Sequence, residues 1–231
     1  MRARDALFLA ALLLSKLLAG EGHGIPLRSR TIGGVVLGKA TIQEAIKRFG
    51  QTVAYETGDA ALSERKVCFG TMDGSRILVF ASNHEMAQGK KITSIRLYQK
   101  GQVPQAVSAS ACSELRARSK FDLESGLGLG MTSKICLAIL GEPKTRGHLN
   151  PDVCERVAVK NSDPLRTDWT YSWSERIKYK KTDPGYVHMN ARRSECFEGK
   201  DPYYDVGSFI IICFKQDAAV AIIISRIESA C

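Results

Sequence analysis

Apolar positions recur along this chain with two different periods, and the switches between them mark out its elements. Ile42, Ala45, Ile46 and Phe49 fall at i, i+3, i+4 and i+7, one face of a helix. Thr41 precedes them and Glu44 stands three residues on. That is the spacing of a capping box, in which each side chain takes up the other residue's free N–H. Gly50 ends the run. A related layout returns in residues 126–143. Thr132 is there the candidate N-cap, Gly141 can take the left-handed conformation that closes a helix, and Pro143 keeps it from resuming. The two helices differ in one respect. Residues 135–140 (Ile-Cys-Leu-Ala-Ile-Leu) have no polar position, and a helix apolar all round is expected to be buried all round. This predicts a second helix near the junction of two repeats.

Elsewhere the period drops to two. Residues 66–71 and 76–81 are short apolar runs around Met72-Asp73-Gly74-Ser75, and Asp-Gly is a strong hairpin signal. Residues 92–98 form another strand candidate. Residues 168–180 alternate cleanly, with Trp169, Tyr171, Trp173, Ile177 and Tyr179 on one side and Thr170, Ser172, Ser174, Arg176 and Lys178 on the other. Residues 208–214 and 219–227 are rich in Ile and Val and read as a closing hairpin of well-covered strands. Polar stretches at 144–166 and 182–204 read as surface loops, and residues 101–125 as a connector. The expected class is α+β: two tandem units, each a short helix packed on an antiparallel β-sheet, in residues 37–110 and 111–231. Residues 21–36 lack periodicity and read as an extended N-terminal segment.

Charge and cysteines add a compartment. Arg2 and Arg4, the apolar residues 6–14 and the small residues near Gly20 read as a secretory signal peptide over residues 1–20. Lys16 interrupts the apolar run, which is shorter than the roughly 20 residues a bilayer span needs. No cysteine sits at the expected cleavage site, so no stable membrane anchor is expected. The chain carries a net charge of +9, its basic residues interspersed rather than clustered. Solubility accounts for that pattern, as does an anionic partner, and nucleic acid is not expected. In an oxidising compartment most of the seven cysteines (68, 112, 136, 154, 196, 213 and 231) should pair, and an odd count leaves a thiol over. Cys136, within the apolar helix, is the candidate free thiol. Cys68 with Cys112 is the candidate disulfide.

Catalytic signals are absent from the sequence pattern. Gly126, Gly128 and Gly130 precede a helix but match no phosphate-binding motif, and tight turns account for them. His23, His84, His148 and His188 show no zinc spacing, and no Gly-x-Ser-x-Gly elbow occurs. No catalytic residue, metal ligand or cofactor is expected. Trp169, Tyr171 and Trp173 are the candidate partner-binding residues. Aromatics on one strand face either pack as core beneath a helix or, left exposed, grip a partner.

With Leu129-Gly130-Met131-Thr132 and Gly141-Glu142-Pro143 in view, the chain resembles the BamE/SmpA and β-lactamase-inhibitor-protein (BLIP-like) group. Leu37-Gly38 and residues 41–50 match the same pattern loosely. In that group a Leu-Gly-Met-Thr segment opens a helix that closes on Gly-x-Pro, and an antiparallel sheet follows. The resemblance implies binding roles, in outer-membrane assembly or enzyme inhibition. The expected function is an exported, periplasmic or secreted protein-binding module of the cell envelope without catalysis, its partner an unknown protein of the envelope or exterior. An enzyme acting on envelope glycans, or a structural protein without a ligand, are the alternatives.

Overall fold

The computed structural model describes residues 25–57, 64–83, 91–99, 112–115, 121–147, 166–178 and 203–229. The expected signal peptide, residues 101–111, most of the polar stretches at 144–166 and 182–204, the four histidines, and cysteines 154, 196 and 231 lie outside them.

Residues 25–36 do not form the extended start expected of them. Leu27–Arg30 is a 3-10 turn, and β1 (Thr31–Ile32) pairs with β2 (Val35–Val36) across Gly33 and Gly34. Both glycines have positive φ, +52° and +83°, a conformation side chains disfavour. The segment orders because Ile25, Ile32, Val35 and Leu37 reach the core, all at most 3 % exposed. Helix α1 (Ile42–Phe49) follows with the capping box the sequence predicts. The Thr41 N–H donates to the Glu44 carboxylate at 2.6 Å, and the Glu44 N–H donates to Thr41 Oγ1 at 3.3 Å.

Strands β3 (Tyr55–Thr57), β4 (Glu64–Gly70), β5 (Arg76–Asn83), β6 (Ser94–Gln99) and β7 (Ser113–Glu114) come next. Helix α2 (Ser133–Leu140) is followed by β8 (Thr145–Gly147), β9 (Arg166–Lys178), β10 (Tyr203–Lys215) and β11 (Ala218–Ser229). The β4–β5 turn is the Asp-Gly turn read from the sequence: Gly74 has φ +64°, and its N–H donates to the Thr71 carbonyl. A hydrogen bond from the Thr71 hydroxyl, followed by one from the Ser75 N–H, holds the Asp73 carboxyl down at about 2.

The expected α+β class of two tandem helix-on-sheet units is overturned: the described residues are mostly β-sheet, with two short α-helices. Among the described residues, nine strands form one sheet of order β3-β4-β5-β6-β11-β10-β9-β8, with β7 parallel to β4. β6 pairs directly with β11, joining early and late parts of the chain. Cross-strand register gives two apolar ladders on one face. One runs Trp169, Ile212, Ile222, Leu97, Leu78, Phe69, and the other Tyr171, Ile210, Ile224, Ile95, Phe80, Val67. All twelve belong to one buried cluster, so one core crosses the whole sheet. Period-two patterning fixes which side of a strand is buried but not which strand lies beside it. The misjudged architecture comes from that gap. α1 covers the β4–β5 end, where Phe49 lies 5.6 Å from Phe69 and 5.2 Å from Phe80 between ring centroids.

The opposite face has its own buried cluster, including Val79, Tyr98, Ile211 and Ile223. The expected disulfide Cys68–Cys112 is present on this face and ties the β7 segment to β4, and Cys213 is also disulfide-bonded. At its margin Lys66 is nearly buried and paired with Glu64 at 2.9 Å, while Arg96 meets the other Glu64 oxygen at 2.7 Å. Arg96 Nε donates to Ser94 Oγ, which shares a hydrogen bond with Ser225 on β11.

Candidate functional site

α2 lies over the β9–β10–β11 part of the sheet, and the structure brings Cys136, Trp169, Tyr171 and Trp173 together beneath or beside it. Thr132 leads into it by a bridge to Ala218, as Thr41 bridges to Lys91 before α1. Unlike Thr41, Thr132 makes no side-chain cap. The cap comes instead from the β10–β11 turn, where Asp217 Oδ1 accepts the Ser133 N–H at 3.1 Å. This supplies the acceptor that the first free N–H groups of a helix need, and sets a carboxylate at the positive end of its dipole. At the far end Gly141 takes φ +80°, and its carbonyl accepts the Tyr171 hydroxyl at 3.1 Å. α2 is thus pinned to the sheet at both ends.

Between the pins it presents one narrow stripe to the core. Cys136 is its one fully buried residue and carries a free thiol. Burial first, and then the nearby Asp217 charge, push that thiol up to about 11. It therefore stays protonated near neutral pH and packs as a small hydrophobe. Burial likewise pushes the Tyr171 hydroxyl up to about 12. Neither group is poised for acid–base or nucleophilic work.

Of the two alternatives for the aromatic row, core or exposed partner-binding surface, Trp169 and Tyr171 take the core one. They are 9 % and 3 % exposed. Both rings lie on the face that α2 covers, with β8 beside β9 at the sheet edge. Trp169 packs against Phe214 with centroids 5.0 Å apart, and the Arg146 guanidinium lies 4.8 Å from its ring centroid on β8. Arg146 is held there by Glu142 at 2.6 Å. Trp173 stacks on Tyr171 at 6.3 Å and is half-buried, at the margin of the core.

α2 itself is corrected in the other direction. Expected to be buried on all sides, it is a surface helix whose Lys134, Ile135 and Ala138 face outward, with Ile135 46 % exposed. Leu137, Ile139 and Leu140 are only partly covered. The helix starts from a bridge to Ala218 at the beginning of β11 and ends at Gly141 over Tyr171 of β9. The outward apolar face, Arg146 and Asp217 escaped the sequence reading. The missing polar positions in residues 135–140 were the available signal, since they admit an unpartnered face as readily as a buried one.

Other candidates are weaker. An open groove of about 410 Å³ beside α1 is lined by the Gly33–Gly34 turn, Val35, Glu44, Lys47 and Arg48. Its charges are largely internal: Glu44 caps Thr41, and Arg48 Nε donates to the Gly33 carbonyl at 2.7 Å. Among the described residues no cluster of His, Cys, Asp and Glu could hold a metal ion, and no helix is long and apolar enough to cross a membrane. Comparison of the chain with family models, with curated proteins and with solved structures gives no match.

Proposed function

We propose that the chain is an exported protein-binding module of the cell envelope that acts without catalysis, and that the outward face of α2 is where its partner docks. One observation carries this reading: residues 135–140 of α2 hold no polar position, yet Ile135 stands 46 % exposed beside Ala138. Contiguous apolar surface left in water marks interaction sites, and here Ile135 and Ala138 adjoin the partly covered Ile139. The scaffold beneath is suited to hold it still, since α2 is fastened at Asp217 and at Tyr171 to long, covered strands. The Cys68–Cys112 disulfide and the leader-like residues 1–20 support export. Kinship with the BamE/SmpA and β-lactamase-inhibitor-protein group is supported by the Leu-Gly-Met-Thr opening of α2 and by the shared way in which Thr41 and Thr132 bridge to the sheet. The roles of that group, assembly and inhibition, are both binding roles.

The test is an affinity capture from envelope extract with the wild-type chain and with Ile135→Asp. The variant is expected to keep the wild-type circular dichroism and to lose the wild-type partner by at least about tenfold, the loss expected of a central interface residue. A folded variant that retains the same partner at the same level refutes the docking face.

A further inference from the structure

The charges around α2 are unevenly committed, and this selects a class of partner. Lys134 on the helix and Lys144 just beyond it are exposed, and neither side chain meets a partner among the described residues. The acids nearby are occupied. Glu142 holds Arg146, and Asp217 accepts the Ser133 N–H. Arg146 is spent on Glu142 and on the Trp169 ring, and Lys215 beside Asp217 has an interaction of its own. Among the described residues, Ile135 and Ala138 therefore lie between two lysines whose side chains meet no partner, with no uncommitted carboxylate alongside.

Resting on the docking reading above, we propose that the α2 face takes an acidic protein segment. That segment sets a large aliphatic side chain against Ile135 and Ala138, with carboxylates on either side to meet Lys134 and Lys144. Complementary rim charge raises the encounter rate and fixes orientation, while the desolvated apolar centre supplies most of the affinity. A second copy of this chain fits less well. Antiparallel pairing of two α2 helices about a two-fold axis sets Lys134 near the other copy's lysine at the far end, like charge against like. An anionic lipid surface also fits less well. Interfacial helices bury a broad apolar face, and Ile135 is the one large aliphatic residue that α2 exposes.

The experiment titrates two synthetic amphipathic helical peptides into the isotope-labelled chain and follows backbone amide shifts. One carries a leucine stripe flanked by glutamates, the other lysines in place of the glutamates. The glutamate peptide is expected to shift the amides of α2, and the lysine peptide is not. Reversing both charges, Lys134→Glu with Lys144→Glu, should weaken the glutamate peptide about tenfold and transfer the preference to the lysine peptide. Equal response to both peptides, or no response in α2, overturns the acidic class. Responses of α2 to phosphatidylglycerol vesicles, or to the chain's own concentration, in place of the glutamate peptide overturn it in favour of lipid or a second copy. If Ile135→Asp abolishes partner capture while the peptides show no charge preference, the docking face stands and only the acidic class falls.

Discussion

Replacing Phe49 by alanine should lower the unfolding free energy by about 4 kcal/mol, the usual cost of removing a fully buried phenylalanine. Phe49 is 0 % exposed, and its ring meets both Phe69 and Phe80. It also closes over Gly33, where an added Cβ would lie 2.9 Å from the ring, so the β1–β2 turn has grown around it. The site has little freedom to collapse. Phe69 and Phe80 are themselves full-height members of the two ladders, and the turn is fixed by positive φ. The loss should appear in urea denaturation followed by tryptophan fluorescence. Both tryptophans, Trp169 and Trp173, lie on β9 near the opposite end of the sheet from α1. If one core spans the sheet, a cavity at Phe49 shifts the midpoint they report. An unchanged tryptophan midpoint would mean that the α1 end unfolds by itself.

The second large effect is expected at Glu64. Its carboxylate joins Lys66, whose side chain is 7 % exposed, to Arg96 at 20 %. Glu64→Gln leaves two largely buried cations facing a neutral amide. Breaking a buried pair from one side commonly costs several kcal/mol. Here about 2–3 kcal/mol is expected, because Glu64 itself is 27 % exposed and Lys66 does not depend on it alone. Burial acts to raise the Glu64 carboxyl, but the Arg96 and Lys66 charges outweigh it and hold the group below the ordinary value of 4.5. A carboxylate held low when folded stabilises the protein above its unfolded pKa and loses that contribution as pH falls through the folded value. The stability gap between wild type and Glu64→Gln should therefore be full near neutral pH and close progressively below about pH 4.5. Chemical denaturation across that range measures it, and a gap independent of pH would contradict the assignment.

How much of this could be read from the chain depends on which interactions are local. The α1 capping box, the Asp73-Gly74 turn and the alternation through Trp169 and Tyr171 are local, and the structure contains them. The Cys68–Cys112 pair spans 44 residues, and β7 lies along β4 to allow it. What needed distant partners was lost. Ile222 and Ile224 read as covered strand residues, but nothing in their spacing says that Leu97 and Ile95 lie beside them. Thr132 holds the N-cap position that its sequence context predicts, but the acceptor for the Ser133 N–H is Asp217, far along the sequence in another turn. Residues 25–36 look featureless because their order depends on Phe49 and on core they meet only after folding. The exposure of α2 is hidden from the sequence for a related reason. Continuous apolar residues report that a surface resists water, and leave open whether this chain or another covers it.

The binding role requires α2 to be fastened on one side and idle on the other, and adjacent residues test this most directly. Unfolding free energies of Ile135→Asp and Cys136→Asp should diverge. The outward substitution is expected within about 0.5 kcal/mol of wild type, and the inward one should lose more than about 2 kcal/mol by placing a carboxyl in the core. Equal, large losses from both would mean that Ile135 is structural, and would contradict the free face from which the binding role follows.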